Sequence, residues 1–166
     1  MHKALLAAGV FALSAAIAPA AFARDDSAKF AKEAAEGGKA EVEMGKLLAD
    51  KGSNPDVKKF AQMMVDDHSK ANSELEQIAS KKGIALPAEL ARKHKSAYDK
   101  FAKMSGDKLD KEYMKDMVKD HEDDVKAFKK QAQEGSDPDV SAFAKKTLPT
   151  LENHLQLSKS TYGKLK

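Results

Sequence analysis

The sequence predicts an all-α protein: a four-helix bundle of two repeated helical hairpins joined by a helical crossover and preceded by a signal peptide. Three observations predict this fold. Residues 30–57 align without a gap on residues 113–140, at an offset of 83 residues. In both copies apolar residues recur at alternating spacings of three and four, as on one face of a helix. Both copies end in nearly the same turn, GSNPDV in the first and GSDPDV in the second.

The N-terminus is predicted to be a secretory signal peptide over residues 1–23, cleaved to leave a single bundle domain at residues 24–166. Lys3 supplies a positive charge, an almost wholly apolar run follows, and Ala21 and Ala23 are the small residues expected before a cleavage site. The apolar run is shorter than the ~20 residues of a membrane span, so a retained anchor is the weaker interpretation. The expected location is the bacterial periplasm, or secretion, with no stable membrane insertion after cleavage.

Composition excludes several functional classes. The 166-residue chain contains no Cys, which rules out disulfides, thiolate metal sites and covalently attached haem c. Its 29 basic and 26 acidic residues are mixed along the chain, without the basic stripe of a nucleic-acid-binding protein. Neither a glycine-rich phosphate loop nor a nucleophile elbow is present, so no nucleotide cofactor is expected.

The first hairpin is expected to begin with a helix from about Ser27, as N-cap, to about Lys51. The turn at residues 52–55 offers a glycine to end that helix, an asparagine cap and a proline for the first position of the next helix. Within the first helix, Gly37 and Gly38 cost about 1 kcal/mol each relative to alanine. They indicate either close approach of a neighbouring helix or space for a bulky group from a partner helix.

The second half of the chain repeats the hairpin after a connection. Residues 84–106 have no counterpart in the repeat, and they predict a crossover along the bundle in which Pro87 opens a short helix. A helix from about Lys108 to Glu134 follows, and then a repeated turn and a last helix. Pro149 lies inside this last helix, where proline removes a backbone hydrogen bond and should produce a kink.

Polar side chains interrupt the apolar faces of all four bundle helices. His68, His121 and His154 lie on the inward faces of three helices, and Glu41 lies on that of the fourth. Counted from the turns, all four fall in the middle third of helices about 38 Å long, so they can converge at one level. Asp124 follows His121 by three residues and shares its face. The first hairpin would therefore contribute one Glu and one His, and the second would contribute two His and an Asp.

This set of residues suits a divalent transition metal such as zinc, iron, copper or manganese, bound by imidazole and carboxylate groups. A first alternative is a non-enzymatic envelope or interaction protein in which the histidines form a buried, hydrogen-bonded cluster. A second is a small-molecule or noncovalent haem carrier, which needs a roomy apolar cavity beside the histidines. His94, on the crossover, is expected at the surface, and the methionines are expected to fill the core. Catalytic turnover and oligomeric state stay open.

Five segments carry a resemblance to a known family. Three of them are MVDDHSKAN at residues 64–72, GIALP at 83–87 and YMKDMVKDHE at 113–122. The other two are residues 30–43, which end in GGKAEVE, and residues 147–154, which begin with TLPTL. Over about residues 27–162 the chain resembles the bacterial exported family catalogued as domain of unknown function 4142. The resemblance implies a ferritin-like bundle and supplies no reaction. Di-iron ferritin-like proteins place Glu three residues before His, whereas Val65, Val118 and Leu151 stand there in this chain. A carboxylate-bridged di-iron centre is therefore not expected. If the histidine and carboxylate cluster binds a metal, the expected role is metal buffering or a stress-linked redox activity.

Overall fold

The computed structural model describes the backbone of residues 20–166 and side chains from Asp26 onward. This part of the chain contains helices and no strand, which confirms the all-α class. The five helices are α1 (Ala20–Lys51), α2 (Pro55–Lys82), α3 (Arg92–Ala102), α4 (Gly106–Glu134) and α5 (Pro138–Lys164). The predicted signal peptide, residues 1–23, lies almost entirely outside the described residues. Within residues 20–166, no helix has both the length and the apolar content that crossing a membrane requires.

Two hairpins form the bundle, as the repeat predicts. α1 packs along α2, and α4 packs along α5, while α2 and α5 hold the hairpins together and α1 packs less closely against α4. Ser27 contacts the turn before α5, and Ser53 contacts Asp110 near the start of α4, so α1 and α4 are antiparallel. α2 and α4 therefore run in the same direction, and the connection containing α3 crosses the length of the bundle. This is the ferritin-like order with one long crossover.

The two turns are held in equivalent ways at opposite ends of the bundle. Asp110 is fully buried and accepts hydrogen bonds from the Ser53 hydroxyl at 2.6 Å and from the Asn54 backbone N–H at 2.7 Å. Ser27 occupies the equivalent repeat position, and its hydroxyl accepts a hydrogen bond from the Asp137 backbone N–H at 3.3 Å. The internal two-fold relationship thus extends to the side chains that fix each turn.

Three helix ends are capped by residues typical of such positions. The side chain of Asn54 accepts hydrogen bonds from the next two free backbone N–H groups, and Asp137 does the same at the start of α5. Gly83 ends α2 in the left-handed conformation, with φ of 66°. α5 is continuous through Pro149, and the kink there stays a prediction.

Two predicted helix starts were wrong. α1 begins at Ala20, well before Ser27, because the Ser27 hydroxyl serves the turn before α5 and does not cap its own helix. The crossover helix begins at Arg92 and not at Pro87. Residues 84–91 are irregular, and the Pro87 carbonyl accepts a hydrogen bond from the Lys39 ammonium at 2.6 Å. In both cases a contact distant in sequence overrides the local start signal.

Two apolar clusters fill the bundle, one toward each end. Met44, Met64 and Met117 are fully buried in the first, where they fill the core as predicted. Leu75, Phe128, Phe143 and Leu151 belong to the second. The inward polar residues lie between these clusters along α1, α2 and α4, and beside them on α5. Apolar side chains therefore lie above and below this layer along the bundle, and electrostatic interactions are strong in such surroundings.

Candidate metal centre

Four predicted residues meet in the middle of the bundle. Glu41 is 3% exposed, His68 is 6% exposed, and His121 and His154 are fully buried. One ring nitrogen from each of the three histidines can be chosen so that all three lie within 4.8 Å of one another. The Glu41 carboxylate lies 3.0 Å from His68 Nδ1 through Oε2 and 3.5 Å from His121 Nε2 through Oε1. Each of the four bundle helices thus contributes one polar group.

The hydrogen bonds of His121 define its tautomer. Its Nδ1 lies 2.9 Å from the backbone carbonyl oxygen of Met117, one turn earlier on α4. A carbonyl can only accept a hydrogen bond, so Nδ1 carries the hydrogen and Nε2 of the neutral ring carries a lone pair. That lone pair is directed to the centre of the cluster, where His154 Nδ1 lies 3.3 Å away.

His154 is oriented in the complementary way by the neighbouring helix. Its Nε2 lies 2.9 Å from the Asp67 carboxylate on α2, which accepts the hydrogen bond. The neutral ring therefore has its lone pair on Nδ1, facing the lone pair of His121. Two acceptors 3.3 Å apart repel unless a positive group lies between them. Two nitrogens that share a tetrahedral ion with bonds of about 2.0–2.1 Å stand about 3.3 Å apart, so this separation fits a shared metal.

Several buried polar atoms at the centre have no hydrogen-bond partner among the described residues. They are both carboxylate oxygens of Glu41 and Nε2 of His68. The short distances from Glu41 to the two histidines are therefore close contacts without hydrogen-bond geometry. A buried carboxylate without hydrogen bonds is costly, and a bound cation would remove that cost. The donor set therefore fits a metal ion.

Burial keeps the three histidines neutral, which is the form that binds metal. It lowers the pKa of His68 to about 4, and the charges of Asp124 and Asp67 oppose it only in part. Burial also lowers the pKa of His121 and of His154, against the opposing effects of Glu41 and Asp67 respectively. Burial raises the pKa of Glu41, and the nearby His121 opposes this only in part.

Asp124 lies beside the cluster and not within the histidine group. Together with Glu41 and His68 it lines a cavity of about 20 Å³, enough for a water molecule. Burial, followed by the charge of Glu41, raises the pKa of Asp124 to about 8. This cavity is far smaller than the several hundred Å³ of a small-molecule site, so it is not the roomy apolar cavity that a haem carrier needs.

Three residues near the site have surroundings that the sequence did not indicate. Asp67 orients His154, but α2 carries two adjacent aspartates, and periodicity does not show which of them faces α5. Tyr113 is fully buried, and its hydroxyl has no hydrogen-bond partner among residues 26–166. Burial and the charge of Glu41 raise its pKa well above the usual value. His94 is half-buried with an enclosed Nε2, so the surface prediction for it was wrong.

The family resemblance is confirmed by direct comparison. Residues 12–160 match the family described as domain of unknown function, DUF4142. The chain belongs to this family. No protein with curated annotation matches the sequence.

Two solved structures are similar to this DUF4142 protein. A crystal structure of a DUF305 fragment from Deinococcus radiodurans has a TM-score of 0.73 at 10% identity, covering 84% of this chain and 96% of that one. The second, from Streptomyces coelicolor, is described as a "putative secreted protein DUF305"; it has a TM-score of 0.71 at 12% identity and covers 84% of this chain and 93% of that one. At these identities the similarity establishes the shared helical fold alone.

Proposed function

We propose that this DUF4142 protein is an exported metal-binding bundle that holds one divalent transition metal ion between its two hairpins. His68, His121 and His154 would supply three nitrogen ligands, and Glu41 would supply an oxygen ligand. The observation that supports this most strongly is the pair of facing nitrogens on His121 and His154, 3.3 Å apart. Outer hydrogen bonds hold both rings in the tautomer that leaves these nitrogens unprotonated.

Those outer partners match what metal-binding histidines commonly have. Such histidines usually donate their second ring N–H to a carboxylate or a backbone carbonyl, which fixes the ring and raises its basicity. Here the Met117 carbonyl serves His121, and the Asp67 carboxylate serves His154. Asp124 would be an additional ligand or a partner of Glu41 across the small shared cavity.

The donor set favours binding and buffering over catalysis. Three imidazoles and one carboxylate suit borderline ions, so zinc, copper, iron and manganese are the metals to test. Catalytic zinc sites keep an open position for water or substrate, whereas four protein ligands close a tetrahedral site. With Glu41 as fourth ligand, the centre would hold a metal without an open position, and redox activity would need an expanded coordination shell.

Export is proposed from the N-terminal sequence and is supported by the description of the Streptomyces coelicolor structure. The apolar run and the small residues Ala21 and Ala23 would direct secretion and cleavage, followed by release into the periplasm or the exterior. Intact mass of the protein recovered from the periplasmic fraction tests this. A chain beginning at Arg24 supports the proposal, and a chain that retains residues 1–23 contradicts it.

The metal proposal is tested by melting the metal-free, untagged protein with each of the four ions. A ligand that binds only the folded state stabilises it by about 2.7 kcal/mol at a concentration of 100 Kd. One of the ions should therefore raise Tm by several degrees in the wild type and in the control His94→Ala, but not in His121→Ala. If no ion raises Tm, the proposal fails.

The second candidate is a non-enzymatic envelope or interaction protein with a buried, hydrogen-bonded histidine cluster. The 3.3 Å between His121 Nε2 and His154 Nδ1 also fits a shared proton. That arrangement requires a buried imidazolium, which is unfavourable because burial lowers the pKa of both rings. It predicts an unchanged Tm with every ion, so the same melting series separates the two candidates.

A further inference from the structure

A groove of about 590 Å³ lies between α1 and α4, with residues of α3 along its side. It exists because α1 and α4 pack less closely than the two helices of either hairpin do. Glu41 and Asp124 form part of its wall, so the groove reaches the candidate metal centre. Glu41 therefore faces both the histidine cluster and this opening.

The groove is strongly acidic, although the whole chain has a net charge of +3. Seven carboxylates and two lysines line it, and one of the lysines, Lys119, is paired with Asp123 at 3.0 Å. Asp116, Asp120 and Asp124 follow one another at four-residue spacing, so they lie along one face of α4. Asp116 and Asp120 therefore stand one helical turn apart on the wall of the groove.

Two further observations distinguish this groove from an ordinary acidic surface. Glu41, at its inner end, is 3% exposed and has no hydrogen-bond partner for either oxygen among the described residues. Gly37 lies on the groove wall, and no atom stands within 4 Å of the position that a Cβ would occupy there. A helical glycine in open space leaves the passage unobstructed beside an unpaired buried carboxylate.

We propose that this acidic groove is the path by which a divalent cation passes from solvent to the buried histidine cluster, with Asp116 and Asp120 attracting the ion toward Glu41. The inference rests on the proposed metal-binding function. Clefts lined by one sign of charge raise the local concentration of counter-ions, and they accelerate association by about 10- to 1,000-fold. The groove carboxylates would therefore determine the rate of uptake, and the histidines would determine the affinity.

The test is stopped-flow uptake of Co²⁺ by the metal-free mature protein, followed by the absorbance of the bound ion. Asp116→Asn with Asp120→Asn removes two groove charges, and the control Asp66→Asn with Glu152→Gln removes two exposed charges from α2 and α5. At low ionic strength the groove variant should bind Co²⁺ about tenfold more slowly than the control. In high salt the two rates should converge, because screening weakens interactions between exposed charges.

A second variant blocks the groove without altering charge. Gly37→Leu places a side chain in the open space and should slow uptake, whereas Gly163→Leu, at another glycine with no neighbour within 4 Å of its Cβ position, should not. Equal uptake rates in all variants, with equal final binding of Co²⁺, would overturn the path. A wild-type protein that binds no Co²⁺ at all would instead refute the metal centre, and the path with it.

Discussion

The carboxylate of Glu41 on α1 lies 3.0 Å from Nδ1 of His68 on α2, yet neither of its oxygens accepts a hydrogen bond from a described residue. Close contact between helices within one hairpin therefore brings together two groups that do not satisfy each other. The other hairpin contains a similar unsatisfied pair, His121 and His154. Their outer hydrogen bonds leave the lone pairs of His121 Nε2 and His154 Nδ1 facing each other. One cation at the centre would resolve both conflicts.

Asp67→Asn should weaken metal binding by about 10- to 100-fold without unfolding the protein. The substitution removes the charge that holds the Nε2 hydrogen of His154, so the ligand becomes less basic and less well oriented. Isothermal titration with the ion identified by melting measures the change. Asp66→Asn is the matched control, because Asp66 is exposed and its carboxylate accepts a hydrogen bond from Gln62 on the same helix. Equal affinities in the two variants would show that Asp67 does not contribute to metal binding.

The metal-free protein should lose stability as the pH rises from 7 to 8, and Asp124→Asn should abolish this loss. Burial raises the pKa of Asp124 to about 8 in the folded state, from 3.8 in the unfolded chain. The folded state therefore binds more protons in this window, and stability falls as pH rises, by at most about 1.4 kcal/mol per pH unit. Above pH 7 the histidines contribute little, because their folded pKa values are lowered and the unfolded value is 6.5.

Urea unfolding of metal-free protein at pH 7, 7.5 and 8 measures this effect. Asp123→Asn is the control, because its hydrogen bond to Lys119 lowers the pKa of that exposed carboxylate and keeps it ionised throughout the window. The control should lose stability with rising pH in parallel with the wild type. If the free energy of unfolding of the Asp124→Asn variant falls with pH as steeply as that of the wild type, Asp124 does not hold a proton at neutral pH.

Asp110→Ala should destabilise the fold by about 2–5 kcal/mol, because it leaves buried N–H groups at the first turn without an acceptor. The carboxylate accepts hydrogen bonds from the Ser53 hydroxyl and from the backbone N–H groups of Ser53 and Asn54. Asp107→Ala removes a single exposed hydrogen bond to Ser53 and should cost less than about 1 kcal/mol. Chemical denaturation compares the two, and similar losses would contradict the role given to Asp110.

Alanine at two glycines of α1 should have opposite effects on stability. A Cβ at Gly45 would stand 2.8 Å from the Ala61 carbonyl oxygen, so Gly45→Ala should overpack the α1–α2 contact at a cost of about 1–3 kcal/mol. A Cβ at Gly37 meets nothing within 4 Å, so Gly37→Ala should stabilise the helix by about 1 kcal/mol. Thermal melts measure both variants. Stabilisation by both alanines would refute the close packing at Gly45.

The sequence was sufficient to predict the four polar residues that meet at the centre of the bundle. Helical periodicity and distance from the turns placed Glu41, His68, His121 and His154 at one level, and the structure brings them together there. These properties depend only on residue spacing along each helix. The turn at Asn54 was predictable for the same reason, because its hydrogen bonds are to the next residues in the chain.

The features that escaped prediction depend on contacts between distant segments. Ser27 has the sequence of an N-cap, but its hydroxyl bonds to the turn before α5, and α1 continues past it. The pairing of Asp67 with His154 depends on the rotation of α2 against α5, which spacing does not determine. His94 was expected at the surface, and its burial follows from the path of the crossover against α1. The acidic groove likewise arises from the looser packing of α1 on α4.

The metal content of the untagged mature protein, measured by elemental analysis, tests the central claim most directly. It is compared with that of His68→Ala, His154→Ala and His94→Ala, each checked for helical content by circular dichroism. We predict close to one equivalent of a single divalent transition metal in the wild type and in His94→Ala, and its loss in the other two variants. Substoichiometric metal that is unchanged by His68→Ala and His154→Ala would contradict the account.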